Sequence, residues 1–303
     1  MLAKLREFLS RLFRRAPPRP GHYVSGHKFA WRGRLDMAPW LWPTREYLLY
    51  VPRGYGLWTR RPLVVLIHGC KQTPEELAAA TRIAAMADKY GWLVLLPRQS
   101  SKANPWSCWN WFDTATSAGR GEVAIVAAQV RAVRRSHRVH PRRIFAAGMS
   151  AGGTLAATLG VRHAELFAGV FVHSGMACGA ASGPAAAIGV MSRGADTDPR
   201  QIGAQARAVA GGKVRVPLLV IHGERDTVVA KINAMQLVEQ YRALNGETLS
   251  PALSQGRGST RLVMVPELGH AWSGGDAAYP FNDANSPDAT AMLGEFVEGR
   301  LGS

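Results

Sequence analysis

The sequence contains no apolar run that approaches the roughly 20 residues a membrane-spanning helix needs. It has only three cysteines, and they do not combine with histidines at the spacings of a zinc site. A phosphate-binding loop and a dinucleotide fingerprint are also missing from the sequence. We therefore expect no membrane span, no metal ion and no cofactor.

Acidic residues are scarce: 21 Asp and Glu stand against 37 Lys and Arg, so the formal net charge is +16. An excess of this size favours contact with anionic surfaces. The arginines are spread over several segments, however, and no nucleic-acid-binding motif accompanies them, so we do not expect nucleic-acid binding. An arginine-rich, solvated surface is the simpler interpretation. With 47% hydrophobic residues, the 303-residue chain can bury one large core.

Residues 1–20 form a distinct segment. Apolar residues recur at helical spacing through residues 1–16, lysines and arginines cover the other face, and Pro17, Pro18 and Pro20 predict a stiff linker. Charges interrupt every apolar run, so the segment lacks the continuous core of a signal peptide. A basic amphipathic helix predicts attachment to an anionic membrane or granule surface. The alternative is a helix that packs on its own domain.

From residue 21 onward, short apolar runs alternate with helical patterns. The predicted strands cover residues 46–51, 63–67, 92–96, 144–147, 170–172, 218–221 and 262–265. The predicted helices cover residues 74–90, 123–133, 154–163, 200–210, 231–244 and 287–300. This alternation predicts one α/β domain, residues 21–303, in which helices cover both faces of a mostly parallel sheet. Residues 180–213 are rich in Ala and Gly, break the alternation and suggest a small cap insertion.

The segment Gly148-Met149-Ser150-Ala151-Gly152 joins a predicted strand directly to a predicted helix. G-x-S-x-G in this context is typical of a nucleophile elbow, which lifts the serine hydroxyl above the sheet. We expect a Cβ atom at Gly148 or Gly152 to collide with the neighbouring chain. The same turn directs the Ala151 amide toward an approaching carbonyl oxygen, as an oxyanion hole requires.

A serine nucleophile needs a base, and the base needs a carboxylate that fixes its tautomer. Asp226 directly follows the predicted strand 218–221, and His270 follows the last predicted strand. The order Ser, Asp, His along the chain is that of α/β-hydrolases, so Ser150, Asp226 and His270 are the candidate triad. Glu224 is the rival carboxylate.

The second oxyanion amide is expected from the loop after an early strand, and Cys70 N–H is our choice. Cys70 and Cys108 both lie on loops predicted to reach the rim of the site, so a disulfide between them is reasonable. Two reduced thiols are the alternative. In either case Cys178 is expected to stay unpaired.

Four segments carry a resemblance to a known family: His68-Gly69-Cys70, Cys108-Trp109-Asn110-Trp111-Phe112, Gly148-Met149-Ser150-Ala151-Gly152-Gly153 and Gly269-His270-Ala271-Trp272-Ser273-Gly274-Gly275. They resemble the poly(3-hydroxybutyrate) depolymerase family of esterases, which is related to feruloyl and acetylxylan esterases. The resemblance begins near Tyr47 and implies an α/β-hydrolase fold with the triad given above. It also implies the pattern Asp-x-x-Val followed by Asn, which Asp226, Val229 and Asn233 meet. One departure is His140, where the family usually has Asp.

These observations predict a serine esterase that acts on poly- or oligo-hydroxyalkanoate esters through an acyl-enzyme. A feruloyl or acetylxylan type of carbohydrate esterase is the alternative, and a non-catalytic protein that binds granules or membranes is the alternative from another class. Trp109, Trp111 and Trp272 are candidates for the acyl pocket, with core packing as the other interpretation. The family resemblance implies an extracellular protein, whereas the missing signal peptide favours the cytoplasm. The oligomeric state does not follow from the sequence.

Overall fold

The computed structural model describes residues 20–29, 44–56, 58–247, 259–285 and 287–299. The strands are β1 (His22–Phe29), β2 (Thr44–Val51), β3 (Arg61–Ile67), β4 (Leu93–Pro97), β5 (Val139–Met149), β6 (Gly169–His173), β7 (Leu218–Gly223), β8 (Thr260–Val265), β9 (Trp272–Ser273) and β10 (Asn282–Asp283). The helices are α1 (Pro74–Ala80), α2 (Ile83–Tyr90), α3 (Thr114–Ser117), α4 (Gly121–Ser136), α5 (Ala151–Arg162), α6 (Pro184–Arg193), α7 (Pro199–Val209), α8 (Ile232–Asn245) and α9 (Ala289–Val297). The predicted N-terminal helix, residues 1–16, lies outside the described residues. In the part of the chain that is described, no helix is long and apolar enough to cross a membrane.

The central sheet has eight strands in the order β1-β2-β4-β3-β5-β6-β7-β8. The six strands from β4 to β8 run parallel, and β2 and β1 add to the β4 edge in antiparallel fashion. The predicted mostly parallel sheet is therefore confirmed. β1 was not predicted, because it is an exposed edge strand that lacks the continuous apolar run of a buried one.

Alternate residues of the buried strands pack into two separate cores, one on each face of the sheet. Leu63, Val65 and Ile67 of β3 contribute to the core that α4, α5 and α8 cover. Val64 and Leu66 contribute to the core that α1, α2 and α9 cover. Because side chains of a strand point alternately to opposite faces, a strand covered on both sides must be apolar throughout. The helices on both faces are as predicted.

The single helix predicted over residues 74–90 is wrong: α1 ends at Ala80, and α2 begins at Ile83. Arg82 between them adopts a left-handed conformation with φ 53°. Two contacts with the distant C-terminal region hold the break. The Thr290 hydroxyl donates to the Thr81 carbonyl, and the Arg82 guanidinium donates to the Gly274 carbonyl. Helical periodicity continues through this stretch, so the local pattern contains no sign of a break caused by tertiary contacts.

Helices α6 and α7 occupy the predicted insertion at residues 180–213, between β6 and β7. A Cβ atom at Gly203 of α7 would lie 2.1 Å from the carbonyl oxygen of Gln240 in α8, so these two backbones pack in close contact. α6 is held by the loop after β7, where Ala230 N donates to Met191 O over 2.8 Å. A cap function for this segment stays a prediction.

Candidate active site

Ser150 lies in the sharp turn between β5 and α5, with φ 55° and ψ −124°. A Cβ atom at Gly148 would lie 2.5 Å from the Gly152 carbonyl oxygen, and one at Gly152 would lie 2.2 Å from that of Ile67. The predicted collision at both glycines is therefore present in the structure. A non-glycine residue in this backbone region is strained, and such strain clusters at functional sites because the surrounding structure must maintain it. The turn leaves Ser150 9% exposed at the carboxyl edge of the sheet.

Asp226 and His270 meet at the same edge of the sheet although 44 residues separate them. His270 Nδ1 donates to Asp226 Oδ2 over 2.8 Å. The other carboxylate oxygen, Oδ1, accepts from the backbone amides of Val228 and Val229 at 2.9 and 2.8 Å. Because Nδ1 keeps its proton in order to donate to the carboxylate, the neutral imidazole has an unprotonated Nε2, which is the form a general base requires.

Burial acts to raise the pKa of Asp226, but the hydrogen bond and charge of His270 and the Val229 amide outweigh it, so the pKa lies below its ordinary value. The carboxylate is therefore ionised when His270 is neutral. Glu224, the rival carboxylate, is exposed, and within the described part of the chain its one hydrogen bond runs from its amide to the Val265 carbonyl. The geometry favours Asp226 over Glu224. Among the described residues, Ser150 Oγ makes no hydrogen bond to His270.

The loop after β3 passes directly beside Ser150: a Cβ atom at Gly69 would lie 3.4 Å from the Ser150 Cβ. Gln72 Oε1 accepts from the Gly69 amide at 2.8 Å. The Cys70 amide and the Ala151 amide have no hydrogen-bond partner among the described residues, so both are free to donate to a ligand. Two unpaired amides that flank the serine are what an oxyanion hole needs.

A second loop, residues 98–113, holds the loop after β3, the candidate oxyanion loop, in place. The structure joins Cys70 to Cys108 in a disulfide, and Lys71 N donates to Trp106 O over 2.7 Å. His68 links both loops as well: its Nε2 accepts from the Gln99 amide at 3.2 Å, so its Nδ1 must donate to the Gly69 carbonyl at 2.8 Å. Cys178 is free and buried.

The family model described as esterase PHB depolymerase matches residues 45–265. The match includes the turn at Ser150, the candidate oxyanion loop and Asp226, and it ends shortly before His270. The chain belongs to this family.

Individual relatives place the chain among esterases of several types. It is 29% identical to poly(3-hydroxyalkanoate) depolymerase C of Paucimonas lemoignei over 68% of this chain and 50% of the relative. It is 27% identical to feruloyl esterase B of Thermothelomyces thermophilus over 69% of this chain and 73% of the relative. The chain therefore spans about half the length of the depolymerases that it matches.

Solved structures support the fold. The acetyl xylan esterase from Aspergillus awamori aligns with a TM-score of 0.64 at 18% identity and covers 83% of this chain and 94% of that one. At this identity the likeness concerns the fold alone. The fold is that of the α/β-hydrolases, as the sequence predicted.

Two further histidines lie next to the candidate triad, and their role does not follow from the sequence alone. His173 ends β6, and its Nε2 accepts from the Ser273 amide at 3.3 Å. Its Nδ1 therefore donates to the Ser174 hydroxyl at 3.1 Å, while its ring stacks on Trp272 at a centroid distance of 5.3 Å. His173 thus connects β6 to the segment directly after His270. Burial, with help from the neighbouring histidines, lowers the pKa of His173 to about 3.

His222 ends β7, and its Nε2 donates to the Val229 carbonyl at 2.8 Å. This nitrogen also lies 3.7 Å from Asp226 Oδ2, so His222 closes the loop that carries the Asp226 carboxylate. Burial lowers the pKa of His222, which keeps the ring neutral. The position of these histidines in the sequence could have indicated them. Each is a polar residue at the end of an apolar strand, and open α/β sheets have their sites at such strand ends.

The three tryptophans proposed for the acyl pocket lie in the core. Trp109 and Trp272 have no exposed surface, and Trp111 has 4%. Trp272 Nε1 donates to the Thr290 hydroxyl at 3.1 Å, which ties the ring to α9. In this conformation Trp109 and Trp272 support the loops around the site and do not form walls of an open pocket. The described residues contain no cluster of His, Cys, Asp and Glu that suits a metal ion.

Proposed function

We propose that this protein is a serine esterase whose triad is Ser150, His270 and Asp226. The observation that carries the proposal is the 2.8 Å hydrogen bond between His270 Nδ1 and Asp226 Oδ2, at the sheet edge where Ser150 occupies its strained turn. Membership of an esterase family supports the reaction class.

In the acylation half-reaction, His270 Nε2 takes the Ser150 hydroxyl proton as the oxygen attacks the ester carbonyl. Negative charge develops on the carbonyl oxygen, and the free amides of Cys70 and Ala151 are the donors that stabilise it. Asp226 stabilises the imidazolium that forms, because its ionised carboxylate accepts the hydrogen bond from His270 Nδ1 throughout the reaction. His270 then protonates the departing alcohol, which leaves an acyl group on Ser150.

In the deacylation half-reaction, the same imidazole takes a proton from water, which attacks the acyl carbonyl. The two amides stabilise the second oxyanion in the same position. His270 returns its proton to Ser150 Oγ as the carboxylic acid leaves. The cycle needs no metal ion or cofactor, since both protons move through one histidine.

The substrate class that we propose is a hydroxyalkanoate ester, in polymeric or oligomeric form. The poly(3-hydroxyalkanoate) depolymerase from Paucimonas lemoignei supports this class. Feruloyl or acetylated carbohydrate esters are the second candidate. The share of the relative's length that this chain matches favours them, since it is 73% for feruloyl esterase B and 50% for the depolymerase.

The test is the hydrolysis of a panel that runs from short acyl esters to hydroxybutyrate oligomers and feruloyl esters. Ser150→Ala and His270→Ala are expected to lower kcat by about 10⁴-fold or more, and Ser192→Ala, at an exposed position of α6, is the matched control. Mass spectrometry of protein quenched during turnover should find the acyl group on the Ser150 peptide. Near wild-type turnover by Ser150→Ala would refute the mechanism. If the protein hydrolyses feruloyl esters faster than hydroxybutyrate esters, the second candidate is the substrate class.

A further inference from the structure

A strongly basic surface lies at the edge of the sheet opposite to Ser150. It consists of five exposed arginines, which we call the amino-edge surface: Arg60, Arg134, Arg135, Arg138 and Arg142. Arg60 directly precedes β3, and Arg142 lies near the start of β5. The other three lie at or just beyond the C-terminal end of α4, which leads into β5.

Hydrogen bonds bring these segments together. Arg61 N donates to the Arg138 carbonyl over 2.7 Å, and Arg61 pairs with Val139 where β3 and β5 begin. Arg138 N donates to the Tyr55 hydroxyl over 2.7 Å. The five arginines are therefore clustered in space, although they come from three parts of the chain.

The charge of this surface is uncompensated. Within the described residues, none of the five arginines has a carboxylate within 4.0 Å. Neighbouring arginines differ, since Arg131 pairs with Glu165 at 3.3 Å and Arg143 pairs with Glu298 at 2.8 Å. Clustered like charges without acids attract an anionic partner.

A large apolar side chain stands beside these charges. Trp58 is 95% exposed, and it precedes Arg60 by two residues. Tryptophan is amphipathic and is enriched where a membrane meets water, because its ring fits the headgroup level. An indole next to clustered arginines matches the chemistry of an anionic lipid surface.

The described chain also begins at this edge. His22, the first residue of β1, pairs with Val51, and the preceding residue of β2, Tyr50, pairs with Val94 near the start of β4. The first described residues therefore lie on the side of the amino-edge surface, and the sequence predicts that residues 1–16, which precede them, form a basic amphipathic helix. An apolar helix face requires an apolar partner, which a bilayer provides and a nucleic acid does not.

We propose that the amino-edge surface binds the headgroups of an anionic phospholipid bilayer, with Trp58 at the headgroup level. Ser150 follows Arg142 by eight positions along the chain, a span of about 26 Å at about 3.3 Å per residue. The carboxyl edge with its active site then faces away from the lipid and stays open to substrate. The span exceeds a Debye length of about 10 Å, so changes at the surface leave the chemistry at Ser150 unaffected.

The experiment is co-sedimentation of the full chain with vesicles of equimolar phosphatidylcholine and phosphatidylglycerol, compared with phosphatidylcholine alone. The triple variant Arg134→Gln, Arg135→Gln and Arg138→Gln is expected to bind the anionic vesicles about a hundredfold more weakly, at roughly fivefold per arginine. Trp58→Ser is expected to weaken binding several-fold. Both variants should keep the wild-type melting temperature, which tests folding without relying on esterase activity.

A matched control removes the same charge from the carboxyl edge through the exposed residues Lys102→Gln, Arg193→Gln and Lys231→Gln. It should bind the anionic vesicles like the wild-type protein. An equal loss in both triple variants would mean that only net charge matters, and the proposal fails. It also fails if the arginine variant binds normally while deletion of residues 1–16 abolishes binding. Tighter binding of duplex DNA than of vesicles at the same salt, lost in the arginine variant, would assign the surface to nucleic acid.

Discussion

The Cys70–Cys108 disulfide offers a test that links stability to the oxyanion loop. The bridge spans a sequence separation of 38 residues. Closing a loop of this size lowers the entropy of the unfolded chain by an amount worth about 4 kcal/mol at 25 °C. Unfolding entropy is about 2.1 cal/mol/K per residue, so over 303 residues this free energy corresponds to about 6 °C in melting temperature. Cys108→Ser is expected to lower the melting temperature by that amount.

The effect of the same variant on turnover should be small. Only the backbone amide of Cys70 is proposed to contact the substrate, and other bonds still hold its loop. Lys71 N still donates to Trp106 O, and His68 still links Gly69 to the Gln99 amide. Loss of one oxyanion donor costs about 10²–10³ in kcat. Because the loop of Cys108→Ser is loosened but still anchored, we expect kcat of this variant to fall by less than tenfold.

Thiol counting and calorimetry check this prediction. Thiol counting in denaturant without reductant should find one thiol per wild-type chain, which belongs to Cys178. Calorimetry should show that a reductant lowers the melting temperature of the wild-type protein but not that of Cys108→Ser. Cys178→Ala is the control, since it removes a thiol without opening a loop. Three thiols in the wild-type protein, or equal melting temperatures for wild type and Cys108→Ser, would refute the reasoning.

Two other predictions concern the triad and the buried histidines. Asp226→Asn should lower kcat by about 10⁴-fold and Glu224→Gln should leave it nearly unchanged, because it is Asp226 that accepts the hydrogen bond from His270 Nδ1; the reverse order in steady-state kinetics would assign the role to Glu224. Burial lowers the pKa of His173 to about 3 and that of His68 to about 4, from 6.5. The unfolded chain therefore binds more protons below pH 6.5, and stability is lost as the pH falls through this window, by about 2 kcal/mol per histidine between pH 7 and 5. Urea unfolding of His173→Gln at both pH values should show a pH dependence about 2 kcal/mol smaller than in the wild-type protein, and an unchanged dependence would contradict the assignment.

Local patterns in the sequence carried most of the fold. Continuous apolar runs such as 63–67 and 218–221 predicted buried strands, because a strand covered on both faces has no position for a polar side chain. The turn around Ser150 was also predictable from the sequence. Its glycines are required because a Cβ atom there would collide with the backbone of the same turn or of the neighbouring strand. The helix break at Arg82 could not be predicted from the local sequence, because contacts with the distant C-terminal region stabilise it.

The sequence by itself determined the strand-helix alternation, the nucleophile elbow at Ser150 and the order of the acid and the base along the chain. Only the tertiary structure decided which carboxylate faces His270, that His173 and His222 pack beside the candidate triad, and that the predicted pocket tryptophans are buried. The reason is that propensity and periodicity act over a few residues, whereas these contacts join positions as far apart as 44 and 100 residues. Parallel strands bring such positions to one edge, and the packing of the loops beyond that edge selects the side chains that meet.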